Sequence, residues 1–378
     1  MRNTDIIIIG AGAAGLMAAI GAPGSLVLEK MPRPGRKIMI TGKGRCNFSN
    51  VKAWQEFSLH IHPKANFLRP AFYNLTPEKL ISIFEDAGLR CVVERGDRAF
   101  PESHKASDVV DTLARIARQK GSRICCQCEV TSVCRTADGF CLQCTDGNEY
   151  HCHKLIITCG GLSYPTTGSS GDGYDFASSL GHSCTRLYPS LTALVPKAYK
   201  APMEDGASVF TPCASGNSIL KKRISRQQPL GPAAKGLFGR SMKNVNLSLM
   251  IDKQTVRQEF GDIDFTDGGL EGPLGFKISR QAVIALENGS KVSVEISFPH
   301  SDERIHLDIE GYVGYERCVV TAGGVNTDEV LPKTMESRLQ KGLYLAGEVL
   351  DIDADTGGYN LHCAFASGYL AGLSAAKQ

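Results

Sequence analysis

The sequence predicts an α/β fold, a Rossmann-type dinucleotide-binding domain interrupted by a β-rich, barrel-like inserted domain. Three observations carry this. An apolar run, Asp5 to Ile9, leads straight into Gly10-Ala11-Gly12-Ala13-Ala14-Gly15, with an acid following at Glu29. Apolar strands ending in small residues return at Leu155 to Gly161, Val319 to Gly324 and Leu343 to Gly347. Between them, from Leu187 to about Ile309, short strand-like runs are scattered among Pro, Gly and Ser. A chain of 378 residues is long enough for two domains. The expected division is 1–190 with 312–378 for the discontinuous Rossmann-type domain and 191–311 for the insertion.

The opening stretch reads as strand, tight turn and helix start. Gly10 permits the turn, Gly12 removes a Cβ that would collide with a pyrophosphate, and Gly15 lets the helix lie close to its strand. Ala13 and Ala14 complete the loop, whose amides meet the phosphates at the helix N-terminus. Glu29 then ends a second strand, where its carboxylate accepts from both ribose hydroxyls and repels a 2′-phosphate. The bound adenosine should therefore be that of FAD or NAD. A secretory-signal reading of Ile6 to Ala22 fails because Asp5 precedes the run and glycines break it.

Forty-two basic against thirty-nine acidic side chains leave a net charge of +3, which is no nucleic-acid footprint. The basic cluster Lys221-Lys222-Arg223 with Arg226 reads as a solvated loop. No apolar run reaches the roughly 18 residues that span a bilayer, so a cytoplasmic chain without membrane partners is expected. Fourteen cysteines invite a metal or disulfide reading, above all Cys125-Cys126-x-Cys128, Cys134, Cys141-x-x-Cys144 and Cys152. That segment alternates like strands, with hairpin signals at Asp138-Gly139 and Asp146-Gly147, and Cys141 and Cys144 point to opposite faces. The expectation is ordinary strand residues and no metal.

After Lys30 comes a basic, turn-rich link through Arg36 and Lys37, then Thr41-Gly42-Lys43-Gly44-Arg45-Cys46-Asn47, whose backbone can approach a flat or anionic ligand and which makes a second cofactor contact. Thr76 as N-cap, Pro77 and a stop at Gly88 frame one helix; Ser107 caps another, Asp108 to Lys120. β-Hairpins fill 123 to 152. The buried strand ending at Thr158-Cys159-Gly160-Gly161 is similar to the A-T-G-G strand end of flavoproteins, where the chain passes beneath the cofactor and Val130, near the end of the preceding parallel strand, meets the adenine. The Tyr164 to Gly173 loop, before a short helix Tyr174 to Leu180, is not a second G-x-G-x-x-G. With a single Rossmann unit, any nicotinamide visits transiently or not at all. In the insertion, strands are expected at Asn244 to Ile251, Gln254 to Phe260 and Lys291 to Phe298, with Asp262 to Pro273 as an unusual loop. Gly347-Glu348 follows a buried strand, where an acid can hold ribitol hydroxyls. Gly357-Gly358-Tyr359-Asn360 opens the last helix, Leu361 to Ala375, whose N-terminus stabilises charge at the flavin N1–C2 edge.

Together these residues resemble the BaiN/YhiN-like family of NAD(P)/FAD-dependent oxidoreductases, which includes aminoacetone oxidase flavoproteins. The likeness rests on the opening G-A-G-A-A-G, Gly35-Arg36-Lys37, Thr41 to Asn47, Phe100-Pro101 with Lys105-Ala106, the Ser163 to Tyr174 loop, Thr321 to Val325, Gly347 to Asp351 and Gly357 to Asn360. It implies a flavin-binding Rossmann domain with a barrel-like insertion that itself carries a helical subdomain. Only a short polar link lies between Ser297 and Thr321, so that subdomain is expected to be largely missing. It also implies that Glu29 binds ribose, that Arg36, Lys37 and Arg45-Cys46-Asn47 line the flavin, and that Gly347-Glu348 with Gly358 to Asn360 hold its ribitol and pyrimidine ends. The expected activity is hydride transfer between flavin N5 and a small or medium organic substrate, an enone (including a steroid-like one) or an amine, at the junction of the two domains. NAD(P)H is the candidate transient reductant, and the sequence leaves open whether NADH, NADPH or neither reduces the flavin. No catalytic acid is named by the sequence, although Tyr164, Asp172 and His362 fall near the expected flavin. A succinate dehydrogenase or fumarate reductase-like flavoprotein would need a His/Arg pair that is not evident, and an RNA-modifying or non-catalytic flavin-binding protein would need a basic face.

Overall fold

The structure is a computed structural model that describes residues 2–197, 199, 209–210 and 236–377. The chain divides into two compact units, Met1–Arg186 with Gly323–Gln378, and Leu187–Ala322. The basic cluster at Lys221 to Arg226 lies outside the described residues.

The first unit is built on a parallel sheet. Strand β1 (Arg2–Ile9) is flanked by β2 (Leu26–Glu29) and by Glu149–Ile157; Arg123–Cys126 extends the sheet beyond β2, and Leu343–Leu345 pairs with the second half of Glu149–Ile157. All five run parallel. Ile6 to Ile9 are buried between helices, as a parallel strand covered on both faces requires. Helix α1 (Ala13–Gly21) follows the glycine turn. It lies along the final helix, Tyr359–Lys377, at backbone-contact range, because a Cβ on Gly368 or Gly372 would stand 2.1 Å from the carbonyl oxygen of Ala14 or Ala18. The last helix thus fixes the first one behind the turn.

On the other side, Val130–Arg135, Phe140–Cys144 and the first half of Glu149–Ile157 form an antiparallel meander. Two expectations are corrected here. Arg123–Cys126 is a parallel strand rather than part of a hairpin, and Val130 opens an antiparallel strand four residues beyond it. The hydrogen bonds from Cys128 N–H to the Glu29 carbonyl and from Gln127 N–H to that of Met31 hold this connection, just before Val130, against the end of β2.

The second unit is a closed six-stranded antiparallel barrel in the order Leu194–Pro196, Gly269–Glu271, Gln254–Thr266, Ser241–Ile251, Val292–Ser297, Arg304–Val313, the last pairing back onto the first. The helix Gly272–Glu287 supplies Leu274, Ile278, Ala282, Val283 and Leu286 to its core. Among the described residues it is the one helix of this unit, so the barrel-like insertion stands with few helices. Asp262 to Pro273 is not a loop: it contains a strand end, a tight hairpin and the first turn of that helix. Ser297 to Thr321 is not a bare link either, since it holds the ten-residue strand Arg304–Val313. Thr76 caps its helix as read, its hydroxyl accepting from Lys79 N–H at 3.3 Å. The next helix begins at Ala106 with Lys105 as N-cap, because the Ser107 hydroxyl donates to Asp108 Oδ1 instead of capping. The short helix placed at Tyr174 to Leu180 runs Asp172–Ser179, and the last helix starts at Tyr359, two residues earlier than expected.

Candidate functional site

The opening turn is set by its glycines. Gly10 has φ +96° and its N–H donates to the Leu28 carbonyl at 2.8 Å; a Cβ there would lie 2.8 Å from the Thr158 carbonyl oxygen. Gly15 backs onto the Gly10 carbonyl so tightly that a Cβ would meet it at 1.8 Å. Gly12 differs: nothing lies within 4 Å of the position its Cβ would take. The turn is therefore packed from beneath and open at Gly12, which is the shape a pyrophosphate needs. Thr158 holds the floor, its hydroxyl donating to the Ile9 carbonyl at 2.7 Å. Gly347, also left-handed, stands against Ala14, with a Cβ–Cβ approach of 2.7 Å if it carried a side chain.

Glu29 ends β2 as expected and is only 9% exposed. Its Oε2 accepts from Ala11 N–H at 2.7 Å and its Oε1 from Met31 N–H at 2.8 Å. Burial pushes its pKa above the usual carboxylate value, against the lowering effect of the Met31 and Ala11 N–H groups and the charges of Lys30 and Arg36. Each oxygen retains a further lone pair for a ribose hydroxyl. Lys30 turns to Ser170 and Asp172, which ties the end of β2 to the Tyr164–Gly173 loop.

A second group gathers Lys37, Ser163 and Glu348. Lys37 Nζ donates to Glu348 Oε2 at 2.6 Å and to Ser163 Oγ at 2.9 Å, and Ser163 donates to Glu348 Oε1 at 2.8 Å. Gly160 lies beside them, its missing Cβ 3.7 Å from Lys37 Nζ and 3.8 Å from Glu348 Oε2, and Gly161 follows it buried. Three segments far apart in sequence, at Lys37, Gly160 to Ser163 and Glu348, are thus brought together.

The Thr41–Asn47 loop is conformationally unusual. Gly42, Lys43, Gly44 and Cys46 all have left-handed φ, at 56°, 57°, 86° and 59°. A run of that kind concentrates backbone strain, which is found where a ligand or a close approach demands it. Thr41 donates to the Ile38 carbonyl and hydrogen-bonds Cys46, whose thiol burial pushes up to about 12, too high for a reactive thiolate. Arg45 extends to Glu94 and His104 and lies over the Phe100 ring at 4.5 Å. Asn47 Oδ1 is buried with no hydrogen-bond partner among the described residues. It faces Gly358, where a Cβ would come within 2.8 Å of it and 2.3 Å of the Ser49 carbonyl oxygen. Asn50 Nδ2 donates to the Gly357 carbonyl at 3.2 Å, and Asn360 clasps Ala354 through three bonds to that residue and Asp355. The 41–50 loop is thereby fastened to the start of the last helix, where Tyr359 is buried and Leu361 half-buried.

His362, which the sequence places near the expected flavin, takes a structural role, and the pair His60 and His62 was not singled out from the sequence. His362 is buried against Phe57 and Phe72, and Ser49 Oγ sits 2.9 Å from its Nδ1. Burial drives its pKa down to about 4, so it is neutral near pH 7 and a structural ring rather than a proton donor. His60 and His62 both reach Asp355, His60 Nδ1 to Oδ2 at 2.9 Å and His62 Nε2 to Oδ1 at 3.4 Å, and His60 stacks on Tyr359 at 4.2 Å. The available signal was the pattern His60-Ile61-His62 itself, which the structure places at the end of a 3-10 turn and in the two-residue strand that follows it.

The fit to a flavin dinucleotide rests on two observations: open space at Gly12 where the turn offers helix N-terminal amides, and a buried, unpaired acceptor on Asn47 beside the glycine start of a helix. Fold and site define the class, a Rossmann-type flavoprotein oxidoreductase. The chain belongs to the HI0933-like family, matching the HI0933-like protein Rossmann domain over residues 4–374. It is 27% identical, over 98% of both chains, to the 3-dehydro-bile acid delta(4,6)-reductase of Clostridium scindens. It is 28% identical to the ribosomal RNA dihydrouridine synthase of Escherichia coli, over 98% of this chain and 97% of that one. The solved structure of Mycobacterium smegmatis Sdh1 in complex with UQ1 shares the fold, with a TM-score of 0.52 and 16% identity over all of this chain and 69% of that one.

Proposed function

We propose that this protein binds FAD along its first unit and reduces a carbon–carbon double bond conjugated to a carbonyl, with NAD(P)H as the visiting reductant. The observation that carries the proposal is the pairing of the open Gly12 turn with the unpartnered Asn47 Oδ1. The turn would take the pyrophosphate, Glu29 the adenosine ribose, and Val130, buried at the start of its strand, the adenine. Asn47 supplies an acceptor for the imide N–H of the flavin pyrimidine, and Gly357 to Leu361 bring a helix N-terminus to its carbonyl edge. Lys37, Ser163 and Glu348 supply polar groups for the ribitol. When bound, the flavin supplies hydride at N5.

Reduction of an enone also needs a proton at the carbon next to the carbonyl. His60 and His62, about a quarter exposed and oriented by Asp355, are the chain's groups for holding that proton beside the start of the last helix. The names of the two curated relatives support the reaction class, because a dehydro-bile acid reductase and a dihydrouridine synthase both saturate a double bond conjugated to a carbonyl. The second name also supports a second reading, in which the substrate is a uracil ring within RNA.

The test is anaerobic stopped-flow. The protein reduced with NADH or NADPH is mixed with a 3-oxo-4-ene steroid, uridine-containing RNA, fumarate or aminoacetone. Reoxidation by the enone with a saturated product is expected, and the double variant His60→Gln/His62→Gln should slow that step while leaving reduction by NAD(P)H unchanged. Reoxidation by RNA alone establishes the second reading, and turnover confined to fumarate or an amine contradicts both.

A further inference from the structure

Apart from Val130 at its start, the cysteine-rich meander takes no part in the flavin reading, yet it brings together a donor set. Its three strands place Cys134 directly opposite Cys141, and Cys141 directly opposite His151. Residues opposed across strands share a face, as do residues two apart on one strand, so Glu149 joins the same face as His151. One ligand atom each from Cys141, Glu149 and His151 lie within 4.8 Å of one another. His151 Nε2 is 2.7 Å from Glu149 Oε1, and Cys134 stands in register with Cys141 on the neighbouring strand. Gln143 Nε2 donates to the other carboxylate oxygen of Glu149 at 2.5 Å, orienting it from behind in the way that outer groups fix metal ligands.

We propose that Cys134, Cys141, Glu149 and His151 form a binding site for one zinc-like divalent ion. Two thiols, an imidazole and a carboxylate make four protein donors of the mixed S, N and O kind that zinc takes in tetrahedral sites, whereas magnesium and calcium require oxygen sets. The motif was hidden in the sequence because its donors are spaced for a β-sheet row, not for a knuckle. An ion there would cross-link the three strands of the meander at one level, a structural role separate from redox chemistry.

The probe is Co²⁺, titrated into metal-free, reduced protein carrying its native cofactor, followed by Zn²⁺. Expected are one Co²⁺ per chain, thiolate–cobalt ligand-field absorption in the red beyond the flavin bands, and displacement by Zn²⁺. Cys134→Ser and His151→Gln change side chains that do not fill the core, and each should weaken Co²⁺ by at least about ten-fold. Cys91→Ser, on another sheet, should leave it unchanged. Circular dichroism and flavin content verify that each variant is folded. Failure of the wild-type protein to bind one ion, or unaltered binding in both site variants, overturns the proposal.

Discussion

At Gly15 a single methyl group is enough to disturb the fold. A Cβ there meets the Gly10 carbonyl oxygen at 1.8 Å and Thr158 Oγ1 at 2.8 Å, so Gly15→Ala must push the helix off its strand. The expected cost is about 3 kcal/mol, read by urea denaturation, and an unshifted midpoint contradicts the packing. His362 makes a prediction with a definite sign. Its native pKa of about 4 lies below the ordinary 6.5, so between those pH values the unfolded chain takes up a proton that the native state refuses. Its contribution is flat above pH 6.5, and stability falls as the pH drops towards 4, by up to about 3 kcal/mol. The raised pKa of Glu29 acts in the opposite direction, so the readout is the difference in pH slope between wild type and His362→Asn. Equal slopes would show that His362 is not held neutral. The glycine roles were legible in the sequence because they follow from backbone geometry alone. The orphaned oxygen of Asn47 and the sharing of Asp355 by His60 and His62 were not, because each depends on contacts between segments some 300 residues apart in sequence.

Between elements, the contact of α1 with the last helix is the critical one. Gly21, Gly368 and Gly372 let the two backbones touch, a Cβ at Gly21 reaching the Tyr369 carbonyl oxygen at 2.7 Å. Gly368→Val should cost about 2 kcal/mol or more and loosen the cofactor turn together with the fold, measured as a lower thermal midpoint and faster flavin loss. Wild-type values for both would contradict the packing. Helix starts were readable where one residue decides them, as at Thr76, and misread where a hydroxyl found a neighbour, as at Ser107 with Asp108. The strand Arg304–Val313 escaped notice because exposed His306 and Asp308 and half-buried Glu310 dress it as a linker, while Leu307 and Ile309 turn inward. The helix Gly272–Glu287 begins Gly-Pro-Leu-Gly, a turn by composition, and becomes a helix because its apolar face has a barrel core to fill.

In the molecule as a whole, a Rossmann unit made from both ends of the chain carries the expected binding residues, and a barrel occupies the middle. The alignment with the Clostridium scindens reductase runs over 441 residues, more than the 378 of this chain, so that relative carries segments with no counterpart here. The central claim is that the open turn at Gly12 is cofactor space, and Gly12→Val tests it most directly because a Cβ there meets nothing within 4 Å. The measurement is the flavin released on denaturation, beside a thermal melt of each cofactor-stripped protein. Wild type is expected to release one FAD per chain, and the variant to melt at the wild-type temperature once stripped and to purify without flavin. A colourless wild-type protein that cannot be reconstituted with FAD, or a variant that keeps its full FAD, would contradict the account.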